Sequence, residues 1–327
     1  MNNLPSIHLS RRAAVIASAV LAGGVRAQGS SKPVRIIVAF APGSGNDITA
    51  RDLARFMADE LHQPVIVENK PGAGGSIGTE AVAKAVPDGL TVGLGTSSQM
   101  VMNVGLYKSL PFDVDRDLRL IGLVSRTNML LAGKAAGPKT LKALIAEARA
   151  KPGQLSYGSA GTGSISHIVG EAFAKAADIR INHVPYKGNG PAMADLAGGH
   201  VDMVFDGIAT SKPMARQGRL NLIAMSGTQR NPSALDLATF AEQGLRGYEA
   251  YSWNCLFAPA HTPSDAIERL NAALNKAVAM PEVRDRLIQQ SGAEVLAPST
   301  PAQADAFGRR ERERWVPFIR SLKLDVG

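Results

Sequence analysis

Residues 34–51 read VRIIVAFAPGSGNDITAR. The run 34–40 is short and mostly apolar, as a parallel strand covered on both faces should be. Residues 41–46 supply Pro, Gly, Ser and Asn, the composition of a turn. Beyond it Leu53, Phe56, Met57 and Leu61 fall at i, i+3, i+4 and i+8, the spacing of one helix face. The chain repeats this strand–turn–helix cycle. Residues 64–68 (PVIVE) read as a strand, 71–75 (PGAGG) as a turn, and a small-residue helix runs to about Ala85. Residues 90–96 are strand again. Thr140 is placed to cap a helix that runs to about Ala150, where Pro152-Gly153 ends it. Residues 155–158 read as strand, 158–163 as turn and 164–177 as helix. Further strands fall at 183–186, 201–205 and 220–225, and long helices at 263–279 and 301–322. The last carries a stripe of Phe307, Trp315, Phe318, Ile319 and Leu322. Such alternation predicts an α/β fold with mainly parallel sheets, whose ligands bind at the carboxyl ends of strands. Residues 129–132 (MLLA) and 252–258 (SWNCLFA) are apolar but outside the cycle, so they read as crossings. One domain then comprises the start and end of the chain, with a second inserted between them.

The 327 residues leave room for two domains. With 45% apolar residues the chain can bury a core, which excludes a disordered protein. Aromatics at 5% leave little for base stacking, and no Lys/Arg cluster marks a nucleic-acid patch. Part of the +8 net charge belongs to an export signal. Arg11-Arg12 precede an apolar run at 13–25 (AAVIASAVLAGGV), too short for the roughly 20 residues of a membrane span. Val25-Arg26-Ala27 places small residues for cleavage near Ala27. Ser10-Arg11-Arg12 resembles a twin-arginine signal, but Ala14 stands where a large apolar residue is usual, so export is by the Sec or the Tat route. Removing residues 1–27 takes away three arginines and no acid, leaving a mildly basic chain. The single Cys255 allows neither a lipid anchor at the cleavage point nor an internal disulfide. The expected product is a soluble periplasmic protein.

Four strand ends are candidate sites. Residues 42–47 (PGSGND) place glycines and a helix N-terminus where amides attract anions; an ordinary capped turn is the competing reading. PGAGG with Gly78 distantly resembles a dinucleotide fingerprint, but close helix packing explains it without a nucleotide. Residues 158–164 (GSAGTGS) add the hydroxyls of Ser159, Thr162 and Ser164 to loop amides, a combination suited to a carboxylate. His167 lies three residues on and faces the same mouth. Asp206 closes a buried strand and needs a partner, either a helix start or a ligand's ammonium or hydroxyl.

Catalytic constellations are missing: no H-E-x-x-H, no C-x-x-C and no G-x-S-x-G with a matching triad occurs. His62, His183, His200 and His261 lack metal-ligand spacing. Asp113, Asp115 and Asp117 alternate with Arg116 and Arg119, without the Gly and Glu of a calcium loop, and read as a charged surface turn. The expectation is a protein that is not an enzyme and needs neither cofactor nor metal.

Taken together the chain resembles the Bug receptors, the periplasmic solute-binding proteins of tripartite tricarboxylate transporters. The resemblance is carried, in order, by residues 34–51, 64–91 (PVIVENKPGAGGSIGTEAVAKAVPDGLT), 106–113 (LYKSLPFD) and 151–168 (KPGQLSYGSAGTGSISHI). It continues through 183–206 (HVPYKGNGPAMADLAGGHVDMVFD), 251–263 (YSWNCLFAPAHTP) and 300–315 (TPAQADAFGRRERERW). It implies a two-lobed, type II-like Venus-flytrap fold with two crossover strands. Lobe 1 would be 28–128 with 252–327, and lobe 2 would be 129–251. It implies capture of a small carboxylate (a di- or tricarboxylate, amino acid or aromatic acid) by closure of the lobes. A monomeric receptor would then deliver it to membrane permease subunits. The site carried over comprises Phe40, Gly43, Ser44, Gly45, Asn46, Asp47 and Ser97 on one side, and Ser159, Gly161, Thr162, Gly163, Ser164 and Asp206 on the other. Gly43 and Gly45 would offer amides to one carboxylate. Ser159, Gly161, Thr162 and Ser164 would hold it from the second lobe, and Asp206 would accept from a ligand donor. Ser44 departs from the family, which has two adjacent glycines there. The competing readings are a receptor that presents its ligand to a sensor kinase of a two-component system, and an exported nucleotide-using enzyme.

Overall fold

The structure, a computed structural model, describes residues 32–324. The expected export signal and its cleavage point lie outside them. The first lobe opens as β1 (Val34–Val38), α1 (Gly45–Leu61), β2 (Val65–Asn69), α2 (Ser76–Ala83) and β3 (Thr91–Thr96). β1 pairs in parallel with β2 on one side and β3 on the other. Parallel partners need a crossover, which α1 and α2 provide. Val34, Ile36 and Val38 are fully buried, and Leu53 and Met57 of α1 pack on them, as the spacing predicted. After a turn of wide helix at 98–102 come α3 (Asn103–Leu106), α4 (Val114–Asp117) and the long β4 (Leu118–Asn128).

The second lobe holds β5 (Leu130–Lys134), α5 (Leu141–Ala150), β6 (Ser156–Ser159), α6 (Ile165–Ala177), β7 (Asn182–Pro185) and α7 (Asn189–Gly198). It ends with β8 (Met203–Asp206), α8 (Ile208–Arg216) and β9 (Leu220–Met225). The chain returns as β10 (Tyr251–Pro259), α9 (Ser264–Ala279), α10 (Pro281–Ser291), β11 (Glu294–Val295) and α11 (Pro301–Ser321).

The six-stranded sheet has the order β11-β4-β10-β3-β1-β2 and the five-stranded sheet β7-β6-β8-β5-β9. The two repeat one plan. A central strand, β1 or β6, has a parallel neighbour on each side. One antiparallel strand follows, β10 or β5, and in each sheet it is the strand that has just arrived from the other. Strand order therefore reverses beside β1 and β6, the two positions where open α/β sheets bind ligands.

The apolar segments 129–132 and 252–258 lie mostly in sheet: Leu130–Ala132 lie in β5 and Ser252–Ala258 in β10. The passage between sheets is Met129 alone on the way out and residues 226–250 on the return. The two passages are bonded together. Met129 N donates to Ala250 O at 3.0 Å, and Ser226 N donates to Met129 O at 2.8 Å. The Ser226 hydroxyl also bonds to Ala250 O. β4 and α10, eleven residues each, are the longest elements missing from the sequence reading. The charged turn at 113–117 is a single helical turn, with the Asp113 side chain accepting from the amides of Asp115 and Arg116.

Candidate functional site: two matching strand-end loops

At the end of β1, Ser44 caps α1 and its hydroxyl accepts from Asp47 N at 3.3 Å. Asp47 turns back, and its Oδ2 accepts from Gly43 N at 2.9 Å. This is a capping box displaced by one residue. It requires Gly43 at φ +79°, where a side chain would be strained. Asp47 is 3% exposed. Arg51 Nε donates to its Oδ2 at 3.0 Å, and Asn69 Nδ2 to its Oδ1 at 2.9 Å. These hydrogen bonds, Arg51 foremost, outweigh burial and hold the Asp47 carboxyl at about 2. Asn69 Nδ2 also donates to Phe40 O. Asn254 of β10 donates to Asn46 Oδ1 at 3.0 Å, and the Ser97 and Ser252 hydroxyls meet at 3.4 Å.

The second loop repeats the first. Ser164 caps α6 and accepts from His167 N at 3.3 Å. His167 turns back, and its Nδ1 accepts from Gly163 N at 3.0 Å, with Gly163 at φ +78°. The cap serines have nearly the same backbone, φ −67° and ψ 158° at Ser44 against −65° and 161° at Ser164. The Ser159 hydroxyl contacts His183 Nε2 at 2.6 Å and accepts from Gly161 N at 3.1 Å. The Ser166 hydroxyl accepts from Ala160 N at 2.9 Å and donates to Asn189 Oδ1 at 3.1 Å. Asn189 Nδ2 donates to Asp206 Oδ1 at 2.7 Å. One polar chain thus ties the carboxyl ends of β6, β7 and β8 together.

Several expected ligand groups are already engaged. The Gly43 amide belongs to Asp47 and the Gly163 amide to His167. The Gly161 amide and the Ser159 hydroxyl belong to each other. The Asp47 carboxyl is filled by Gly43, Arg51 and Asn69. Asp206 was expected to find its partner either at a helix start or in a ligand donor; here its oxygens take hydrogen bonds from Asn189, Thr210 and Ser211. Its position just ahead of α8 adds the favourable pole of that helix. These residues shape the loops. What remains open is the Gly45 and Asn46 amides at the start of α1, the Ile165 and Ser166 amides at the start of α6, and Thr162. First-turn amides have no intrahelical partner, and among the described residues no other group accepts from them. Thr162 is exposed and likewise unpartnered there. The Ser164 hydroxyl shares its second contact with Ser166 at 3.2 Å.

The PGAGG stretch is a packing device. A Cβ on Gly78 would lie 2.7 Å from Ala39 Cβ and 2.9 Å from Lys70 O, so glycine lets α2 seat on β1. The sequence reading missed Arg51, Asn69, Asn254, His183, Ser166 and Asn189. One signal was present: Gly-Ser-x-x followed by Asp or His occurs at 43–47 and again at 163–167. No group of His, Cys, Asp and Glu among the described residues has the geometry of a metal site.

Two lobes of one plan, each ending in an amide-presenting loop beside the strand-order reversal, define a two-lobed solute-binding protein. The model of the tripartite tricarboxylate transporter family receptor matches residues 49–324, and the chain belongs to that family, one of receptors and not of enzymes. It is 34% identical over 324 residues to BugT of Bordetella pertussis, covering 96% of this chain and 98% of that protein. The solved periplasmic binding protein BugD is 32% identical with a TM-score of 0.73, over 90% of this chain and 98% of that one. MatC from Rhodopseudomonas palustris, solved with bound malate, is 31% identical with a TM-score of 0.73, over 88% and 98%.

Proposed function

We propose that the protein is a periplasmic receptor that encloses a small carboxylate between its lobes and hands it to the permease of a tripartite tricarboxylate transporter. Lobe 1 is 28–128 with 252–327, and lobe 2 is 129–251. The observation that carries this reading is the pair of loops at 43–47 and 163–167, each with free helix-start amides and no free arginine or lysine. An uncharged cradle of amides and hydroxyls suits carboxylates, which accept at both oxygens. The Gly45 and Asn46 amides hold the ligand from the first lobe, with Phe40 and Ser97 bordering them. Thr162, Ser164 and the Ile165 amide hold it from the second. Gly43, Asp47, Ser159, Gly161, Gly163 and Asp206 act through loop shape. The malate bound by MatC is a carboxylate of the size expected.

The test is a thermal-shift screen of purified protein, unfolded and refolded to remove carried ligand. The panel holds mono-, di- and tricarboxylates including malate, together with amino acids, aromatic acids and nucleotides. Ligand at a hundred times Kd adds about 2.7 kcal/mol of apparent stability. A clear rise with one carboxylate class supports the reading and names the cargo. A rise with nucleotides and none with carboxylates overturns it.

A further inference from the structure

The two matching loops differ in one chemical respect. Behind Gly43 the acceptor is a carboxylate, balanced by Arg51. Behind Gly163 it is an imidazole, with no arginine or lysine bonded to it among the described residues. The His167 ring is 3% exposed and lies flat on His183, with centroids 3.7 Å apart and planes at 8°. His183 reaches Ser159, which receives the Gly161 amide. Two of the loop's amides are therefore fixed through one stacked pair. An apolar residue at 167 would fill the space, and an aspartate would repeat the first loop. The histidine supplies what neither does, an acceptor without charge.

We propose that the His167–His183 stack positions the ligand loop 159–164: His167 holds the Gly163 amide with a neutral acceptor, His183 holds the Gly161 amide through Ser159, and a proton on His167 Nδ1 releases the Gly163 amide. This deepens the carboxylate-receptor reading of the same loop and rests on it. A ring nitrogen that accepts carries no proton, so the Gly163 bond fixes His167 as the Nε2–H tautomer. Its Nε2 stands 3.9 Å from Glu171 Oε1, which receives the Tyr157 hydroxyl at 2.6 Å. Tyr157 also lies against His183, ring centroids 5.0 Å apart. Glu171 and Tyr157 are the titratable groups that face the pair. Burial lowers both histidines to about 4, and the neighbouring His167 adds to the effect at His183. Both rings are neutral through the neutral range, and a proton on one opposes a proton on the other. The Gly163 bond is complete well above pH 4 and is lost as pH falls through about 4. A negative acceptor in the same place would oppose an anionic ligand; a neutral one does not.

Three substitutions separate the roles. His167→Asn keeps a neutral acceptor, His167→Phe keeps the stack and removes the acceptor, and His167→Asp keeps the acceptor and adds a charge with no arginine opposite. Malate is titrated calorimetrically at pH 7 into each, with circular dichroism checking the fold. Malate affinity should stay within about twofold in His167→Asn and fall about tenfold in the other two, the scale of one buried hydrogen bond or one unbalanced charge. Below about pH 5 the native protein should lose affinity more steeply than His167→Asn, since malate's own protonation is common to both. In the ligand-free protein, nitrogen NMR should show an unprotonated Nδ1 on His167 and a Gly163 amide shift with the same acid midpoint. A folded His167→Phe that binds malate like the native protein overturns the proposal, as does equal weakening in all three variants. A protonated Nδ1 at neutral pH overturns it too. If malate does not bind, the NMR measurement decides this proposal by itself, and the fault lies with the ligand class.

Discussion

Asp47 shows how much one side chain decides. Its oxygens take up the Gly43 amide, Arg51 and Asn69, so the first loop has one shape before any ligand arrives. Asp47→Ala would leave those donors without their acceptor and should cost about 2 kcal/mol in denaturant unfolding. The acid dependence has a definite sign. The carboxyl sits at about 2 in the fold against its ordinary 3.8, so its contribution is complete above about pH 4 and is lost as pH falls through about 2. The melting temperature of Asp47→Asn should therefore fall less than that of the native protein between pH 4 and pH 2. Equal falls would show that the carboxylate adds nothing to stability. Ser164→Ala removes both a helix cap and a hydroxyl at the mouth. It should cost about 1 kcal/mol of stability and weaken carboxylate binding about tenfold. Unchanged affinity in calorimetry would remove that hydroxyl from the site.

Among elements, legibility followed periodicity. β1 was readable because 34–38 is nearly continuous apolar sequence, and α1 because Leu53, Phe56, Met57 and Leu61 mark one face. β4 was not, because Arg119, Ser125 and Arg126 interrupt its pattern. It holds its place through pairing with β10, a partner more than 120 residues away in sequence. The loops were readable as strand-to-helix turns, but not their inner bonding. Ser159 meets His183 only because β6 and β7 pair in parallel register, Ser156 against Asn182 and Tyr157 against His183. Asp206 was legible at a strand end, with a helix start and a ligand donor left as alternative partners; the partners seen, Asn189, Thr210 and Ser211, reach it from two different helices, which sequence spacing does not reveal. Gly78 shows the opposite case, where a suggestive glycine is pure packing. Gly78→Ala must push α2 off β1, since Ala39 and Lys70 backbone stand within 3 Å of the new carbon. It should destabilise by about 1–3 kcal/mol in thermal melts.

At the scale of the whole molecule the lobes are joined where motion would be concentrated. Met129, Ser226 and Ala250 form one hydrogen-bonded knot, and elsewhere the lobes meet at contacts such as Asn231 Nδ2 donating to Gly292 O at 2.8 Å. Among the described residues no hydrogen bond joins the loop at 40–47 to the loop at 158–167. On the proposed reading, a carboxylate that satisfied amides from both loops would supply the missing bridge, and its binding energy would favour the state with the mouths together. The radius of gyration in small-angle X-ray scattering should then fall when a saturating carboxylate is added. Ser226→Ala loosens the knot without touching either loop. It should leave the contacts with a bound carboxylate intact while changing how readily the lobes close. A ligand that binds with no change in dimension, in native protein and variant alike, would mean that the ligand-free lobes already stand at their bound separation, and closure would not be the mechanism.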